Sequence, residues 1–176
     1  MSVLFTFLLV IAIILAFILL LGLFMRKEHF VKRDIIINAP NQIAFDFLRF
    51  LENQEKFNKY AMKEAERKKE FKGTDGTVGF IFSWSGKKDA GVGEKEIMSL
   101  EEGKKIVTEI RFIKPMKISA SVIFETESLS DQQTKVSFTN SGILKYPFNI
   151  RIPMFEKNFG KDMNESLVML KNILEK

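Results

Sequence analysis

The 176-residue chain has no cysteine, one histidine, one tryptophan and four prolines. Without cysteine there is no disulfide staple, no thiolate metal site and no cysteine nucleophile, and the compartment is left open. The single histidine, His29, stands ahead of the first expected strand. That position indicates neither a Ser-His-Asp arrangement nor a histidine metal site. It reads instead as an interfacial side chain beside an apolar run. Charge is missing too, but only locally. From Val3 to Phe24, 22 positions carry no charged side chain, and Thr6 is the polar exception. At about 1.5 Å per residue such a helix is roughly 33 Å long, enough for a hydrocarbon core of about 30 Å.

The run reads as an anchor rather than a cleaved signal. Signal peptides have a basic leading region, a shorter apolar stretch and small residues at a cleavage site. Here Met1 and Ser2 precede the run, and it leaves through Gly22-Leu23-Phe24-Met25. The basic residues Arg26, Lys27, Lys32 and Arg33 follow it, which predicts an outside N-terminus and a cytoplasmic C-terminal domain of a single-pass cell-membrane protein. The expected division is an anchor over 1–25, a basic linker over 26–30 and one domain over 31–176.

Net charge is +5, from 27 basic and 22 acidic residues, with a pI near 9.3. Most of that excess is the collar next to the anchor, which suits anionic headgroups. A second cluster, Lys63, Arg67, Lys68, Lys69 and Lys72, alternates with Glu64, Glu66 and Glu70 and reads as a solvated face. Nucleic-acid binding is therefore not expected. Membrane lipids and an apolar small molecule are the expected partners, and no cofactor and no oligomeric state are implied.

Within the domain, Val31 to Asn38 predicts a strand, closed by Ala39-Pro40, which opens a helix. Ile43, Ala44, Phe47, Leu48 and Leu51 form one helical stripe, and Asn53 to Met62 reads as a second short helix carrying Phe57 and Tyr60. Six strands follow at short spacing: Ala65 to Phe71, Val78 to Ser85, Gly91 to Leu100, Lys104 to Phe112, Lys117 to Glu127 and Thr134 to Gly142. Such spacing requires antiparallel pairing. Pro153 to Glu175 repeats Phe155, Phe159, Met163, Leu167, Leu170 and Leu174 at helical intervals. The fold class is α+β: a seven-stranded curved antiparallel sheet gripping a long C-terminal helix, with two short helices after strand 1 and an N-terminal transmembrane helix.

Alternation identifies the concave face. Phe80, Phe82 and Trp84 share one side of their strand. Lys95 and Ile97, then Ile106, Thr108, Ile110 and Phe112, follow the same parity. So do Ala120, Val122, Phe124 and Thr126, and then Val136, Phe138 and Asn140. With 18 Phe in the chain, this interior is large and aromatic. A bent sheet over one helix tends to enclose a small-molecule site.

The segments GLFMRKEHFVKRDIIINAPNQIAFDFL, GTDGTVGFIFSWSGKKDAGVGEKEI, KKIVTEIRFIKP, TKVSFTNSG and GKDMNESLVMLKNI span nearly the whole chain. Through them it resembles the START-related superfamily that includes the birch-pollen-allergen fold and the polyketide cyclase/dehydrase group, abbreviated SRPBCC, and in particular its membrane-anchored bacterial branch. The resemblance implies a helix-grip fold and an apolar cavity between sheet and C-terminal helix. Members bind lipids, sterols or polyketides, and some catalyse cyclisation or hydrolysis. Two departures stand out. Phe57 and Tyr60 occupy the region where the family commonly carries tryptophan, and Lys95 and Asn140 are polar where relatives are apolar.

The candidate ligand-binding residues are Phe80, Phe82, Trp84, Lys95, Ile97, Ile110, Phe112, Val122, Phe124, Phe138, Asn140, Phe159 and Met163. No catalytic residue and no metal ligand is assigned. Lys95 and Asn140 either orient a polar group of the ligand or, respectively, reach out at the rim and cap a backbone group. Glu94 and Glu96 share the outer face as solvated charges. Gly73, Gly76, Gly79, Gly91 and Gly93 have the wrong spacing for a phosphate loop and read as turn and bulge glycines. Ile143 to Met154 (ILKYPFNIRIPM) lies near the expected cavity mouth, where it either rests on a membrane or packs inward. The expected function is a membrane-tethered binding domain for a hydrophobic ligand. The alternatives are a cyclase- or hydrolase-like enzyme using Tyr60, Lys95 or Asn140, and an interaction module without a ligand.

Overall fold

The computed structural model describes residues 3–62, 67–86 and 91–176. It opens with helix α1 (Val3–Phe24), which is long and apolar enough to cross a membrane. Every residue of α1 is exposed except Gly22. Strand β1 (Glu28–Ile37) follows, then α2 (Asn41–Arg49) and the single turns α3 (Leu51–Gln54) and α4 (Lys59–Met62). Six strands come next: β2 (Lys68–Lys72), β3 (Ile81–Ser85), β4 (Val92–Glu101), β5 (Lys105–Lys114), β6 (Ile118–Ser130) and β7 (Gln133–Ile143). A 3₁₀ turn (Phe148–Arg151) leads into α5 (Ile152–Leu174).

All seven strands form one antiparallel sheet in the order β1-β7-β6-β5-β4-β3-β2. Consecutive strands pair as hairpins, and β1 closes the far side by pairing with β7. Register shifts in β4 between Val92 and Gly93, and between Ile97 and Ser99, mark bulges that bend the strand. The sheet curves around α5, whose buried face is Ile152, Gly160, Met163, Ser166, Leu167 and Leu170. Beneath it lie Phe124, Phe138, Val136, Ile106 and Val31, joined from the other side by Ala44, Phe45, Leu48 and Phe57. A second cluster, Leu51, Phe80, Phe82, Trp84 and Ile97, fills the edge near β3 and β4.

The structure differs from the sequence reading at several points. β1 begins at Glu28 rather than Val31, because Glu28, His29 and Phe30 continue the ladder against Ile143, Gly142 and Ser141. In α2 the buried stripe is Ala44, Phe45 and Leu48, while Ile43 is 53% exposed. Helix α2 packs between the core and solvent, so its face is set by β6 and β7 rather than by the broadest run of apolar spacing. The expected second short helix is two separate turns. β3 starts at Ile81, since Gly79 at φ 84° belongs to the preceding turn. The start of the expected strand Ala65 to Phe71, with Lys63, Glu64 and Glu66, lies outside the described residues, and β2 is formed by Lys68–Lys72. Arg67 is not part of a solvated face. It is buried and paired with Glu55.

On the convex face, Arg111 holds three carboxylates. It donates to Glu94 at 2.7 Å, Glu96 at 2.5 Å and Glu109 at 2.6 Å. Glu96, then Glu94 and Glu109, hold its guanidinium above its already high ordinary range. Arg111 thus keeps three neighbouring acids on β4 and β5 from repelling one another. Replacing it with Met is expected to destabilise the full chain by about 1–2 kcal/mol at neutral pH. Thermal unfolding of the full chain and of the variant in detergent at neutral pH checks both the size and the sign.

Candidate functional site

Between the concave sheet and the first half of α5 lies a cavity of about 550 Å³. That volume is in the range of small-molecule sites. Its floor is apolar, made by Ile110 and Phe112 of β5, Ile118, Ala120 and Val122 of β6, and Phe138 of β7. Phe82 and Trp84 of β3 form one wall, and Met154, Phe155 and Phe159 of α5 form the roof. The rings meet edge-on or stacked: Trp84 stands T-shaped to Phe112 at 5.6 Å, and Phe155 stacks on Phe159 at 5.2 Å. Trp84 fits because its cross-strand partner is glycine. A Cβ on Gly93 would lie 2.5 Å from the indole Cζ2.

Two polar groups interrupt this lining at opposite sides. Near β4, Lys95 is buried and its Nζ donates to Gln54 Oε1. Gln54 is itself held by a 2.7 Å bond from Nε2 to the Leu48 carbonyl. Asp75 fixes the turn that carries Gln54, accepting from the Leu51 and Glu52 amides at 2.8 and 3.0 Å. Burial pushes the Lys95 amine down to about 8, while the charges of Glu55 and Asp75 act in the opposite direction. Next to it, Arg67 pairs with Glu55 and lays its guanidinium 5.5 Å from the Phe82 ring and 5.3 Å from the Trp84 ring.

At the opposite side, His29 of β1 meets Asn140 of β7, with Nε2 2.9 Å from Oδ1. In the neutral ring this geometry keeps the proton on Nε2, which donates to the amide oxygen. The imidazole stands edge-on to Phe155 at 4.9 Å and is 3% exposed. Three strand steps separate β7 from β4, so the two polar groups lie about 14 Å apart along the sheet.

Of the residues chosen from sequence, Phe82, Trp84, Lys95, Ile110, Phe112, Val122, Phe138, Asn140 and Phe159 line the cavity. Phe80, Ile97, Phe124 and Met163 do not. Phe80 and Ile97 pack with Leu51 under the edge of the sheet, and Phe124 and Met163 lie in the core beneath the second half of α5. The inward parity of Lys95 and Asn140 is as expected, but their partners are Gln54 and His29 rather than the rim and a backbone group.

The placement of His29 corrects the sequence reading. It is a buried wall residue of the cavity, not an interfacial side chain. A signal for this existed, since His29 stands two residues before the buried Val31 and shares its face of the strand. Gln54, Glu55 and Arg67 had no such signal, because the turns that bring them together have no periodicity. The side chain of Tyr60 lies outside the described residues. Among the described residues, no group of three His, Asp or Glu side chains converges as a metal site would require.

No protein-family profile matches the chain, and no curated protein matches it by sequence. Solved structures do. Norcoclaurine synthase from Thalictrum flavum, solved with dopamine and hydroxybenzaldehyde, aligns with a TM-score of 0.62 at 12% identity over 84% of this chain and 87% of its own. The di-domain ARO/CYC StfQ of the steffimycin biosynthetic pathway aligns at 0.61 and 8% identity over 85% of this chain and 51% of its own. Ara h 8.0201 aligns at 0.52 and 13% identity over 81% of this chain and 98% of its own. These likenesses establish the architecture alone: the domain after α1 shares with these proteins the fold of a bent antiparallel sheet gripping a long C-terminal helix.

Proposed function

We propose that this chain is a membrane-tethered binding domain for an apolar small molecule or lipid, held between the sheet and α5. The observation that carries the reading is the cavity itself: about 550 Å³, floored by aliphatic and aromatic side chains, with Lys95 and the His29–Asn140 pair as buried polar groups of its walls and Asn58, Lys114, Arg151, Asn158 and Asp162 as further polar lining. Helix α1 supplies the tether, and the basic residues after it favour a cytoplasmic domain with the N-terminus outside. The ligand that fits is an amphiphile, its apolar body over Phe112, Val122 and Phe138 and an acidic or hydroxyl-bearing end at Lys95. The aromatic small molecules bound to norcoclaurine synthase support the use of this fold for such ligands.

A second reading has a specific observation in its favour. His29, Asn140 and Lys95 line one cavity, and a histidine and an amine near a bound substrate are proton-transfer groups. On that reading the protein is a cyclase- or hydrolase-like enzyme, with StfQ as its structural counterpart.

Trp84 is the only tryptophan, which makes the cavity optically unique. Titrating the full chain in detergent with 9,10-dibromostearic acid should quench Trp84 saturably, and oleic acid should reverse the quenching. Ala120→Phe, which fills the floor, should abolish saturation while circular dichroism stays native. Linear quenching that Ala120→Phe leaves unchanged would count against a binding cavity.

The lysine gives the same titration a pH dependence. Below about 8 the Lys95 amine is protonated and attracts the carboxylate; above it the amine is neutral and the attraction is lost. Affinity for the fatty acid should therefore fall by about tenfold between pH 7 and pH 9.5. Lys95→Met should bind weakly and nearly independently of pH across that window.

A further inference from the structure

The end of α1 is part of the cavity wall's support. Gly22, the one buried residue of α1, lies two residues before the helix end, about 3 Å along the axis. Its missing side chain leaves room for Tyr146 and Ile150, which would lie 3.4 and 3.6 Å from a Cβ built there. Between them, the buried Asn149 donates from Nδ2 to the carbonyls of Gly22 at 2.7 Å and Met25 at 3.1 Å. These are carbonyls that the helix end leaves without partners. The Leu144 amide bonds the Lys27 carbonyl at 2.8 Å. Glu156 of α5 pairs with Arg26 at 2.5 Å and accepts from the Phe30 amide at 3.0 Å. The 3₁₀ turn is thus clamped to the last turn of α1 from both sides.

That same turn carries the mouth of the cavity. The lining residues that are exposed include Lys114, Pro115, Phe148, Arg151, Met154 and Asn158. Phe148 and Arg151 belong to the 3₁₀ turn, and Met154 begins α5. Lys114 and Pro115 stand at the β5–β6 connection, the end of the sheet at which β1 leaves α1. If α1 spans a bilayer, Gly22 is at the headgroup boundary, and whatever packs on it is there too. Phe148 and Met154 are 42% and 55% exposed. Exposed Lys27 and Lys145 lie on segments bonded to this region, through the Leu144 and Phe148 amides, and exposed Lys117 follows Met116 of the lining. Exposed apolar side chains near basic residues match an anionic membrane surface.

We propose that the clamp seats the cavity mouth in the headgroup region of an anionic bilayer, so that the cavity exchanges its occupant with the membrane and not with water. The ligand is then a bilayer-resident amphiphile with a single acidic or hydroxylated end. This inference rests on the reading of α1 as a membrane span and of the cavity as a binding site, and its test separates the three.

The absence of cysteine allows single labels without background. NBD is attached at Phe148→Cys and Met154→Cys near the mouth, at Leu129→Cys on the far end of β6, and at Leu15→Cys within α1. The full chain is reconstituted into vesicles of phosphatidylcholine and phosphatidylglycerol with doxyl-labelled lipid. Labels at 148 and 154 should be blue-shifted and quenched several-fold more than the label at 129. Quenching at 15 with none at 148 and 154 overturns the seated mouth while leaving the anchor in place. Absence of quenching at 15 overturns the anchor as well. The kinetic arm uses the paired variant Gly22→Leu with Asn149→Leu, which breaks the clamp. Dibromostearic acid preloaded in the vesicles should reach Trp84 about tenfold more slowly in that variant, with micellar affinity unchanged. An equal rate overturns the role of the clamp, and loss of micellar binding in the unsubstituted chain overturns the binding site itself.

Discussion

The structure depends on the apolar contact between a bent sheet and one helix. β4 is bent by two bulges, and the sheet wraps around α5, whose apolar face fills its concave side. The second half of α5 does so completely, with Met163, Leu167 and Leu170 against Phe124, Phe138 and Ile106. Each such large side chain contributes on the order of 1.5–3 kcal/mol by leaving water. Along the first half, Phe155 and Phe159 roof the cavity whose floor includes Ile110, Val122 and Phe138. One helix therefore serves as core over one stretch and as roof over the other.

Keeping a cavity open inside a stable domain requires rigid walls. The aromatic residues supply them, since Phe82, Trp84 and Phe112 brace one another and Phe155 lies on Phe159. The polar residues are held as firmly. Lys95 has Gln54, Gln54 has the Leu48 carbonyl, and the turn beneath them is capped by Asp75. A buried amine without such support would cost several kcal/mol, and these bonds offset part of that cost. His29 and Asn140 likewise hold each other across β1 and β7. At the other boundary, Asn149 donates to the Gly22 and Met25 carbonyls and so joins the end of α1 to the domain.

Much of this was legible in the sequence because strands and helices write their faces in fixed periods. The 22-residue apolar run, the six antiparallel strands and the α5 stripe all follow from spacing, and most of the cavity floor follows from strand parity. The sheet's need to bury its concave face against the long C-terminal helix gave the wrapping, and the resemblance to the superfamily implied the same arrangement. What spacing does not encode is how far a helix stands from a sheet. Phe124 and Phe138 have the same parity, stack at 4.5 Å and belong to one core cluster, yet Phe138 also lines the cavity and Phe124 does not. Nor does spacing reach the turns. Gln54, Glu55 and Arg67 gather through tertiary folding alone. His29 was hidden differently: its charged neighbours Glu28 and Lys27 made a strand look like a linker.

The central claim is that the cavity holds an apolar molecule drawn from the cell. The most direct measurement is native mass spectrometry of the full chain released gently from membranes, with organic extraction to identify what leaves it. The account predicts one bound amphiphile per chain, lost on filling the cavity floor. A chain that arrives without ligand, and stays so after incubation with a total lipid extract of the same membranes, would contradict it.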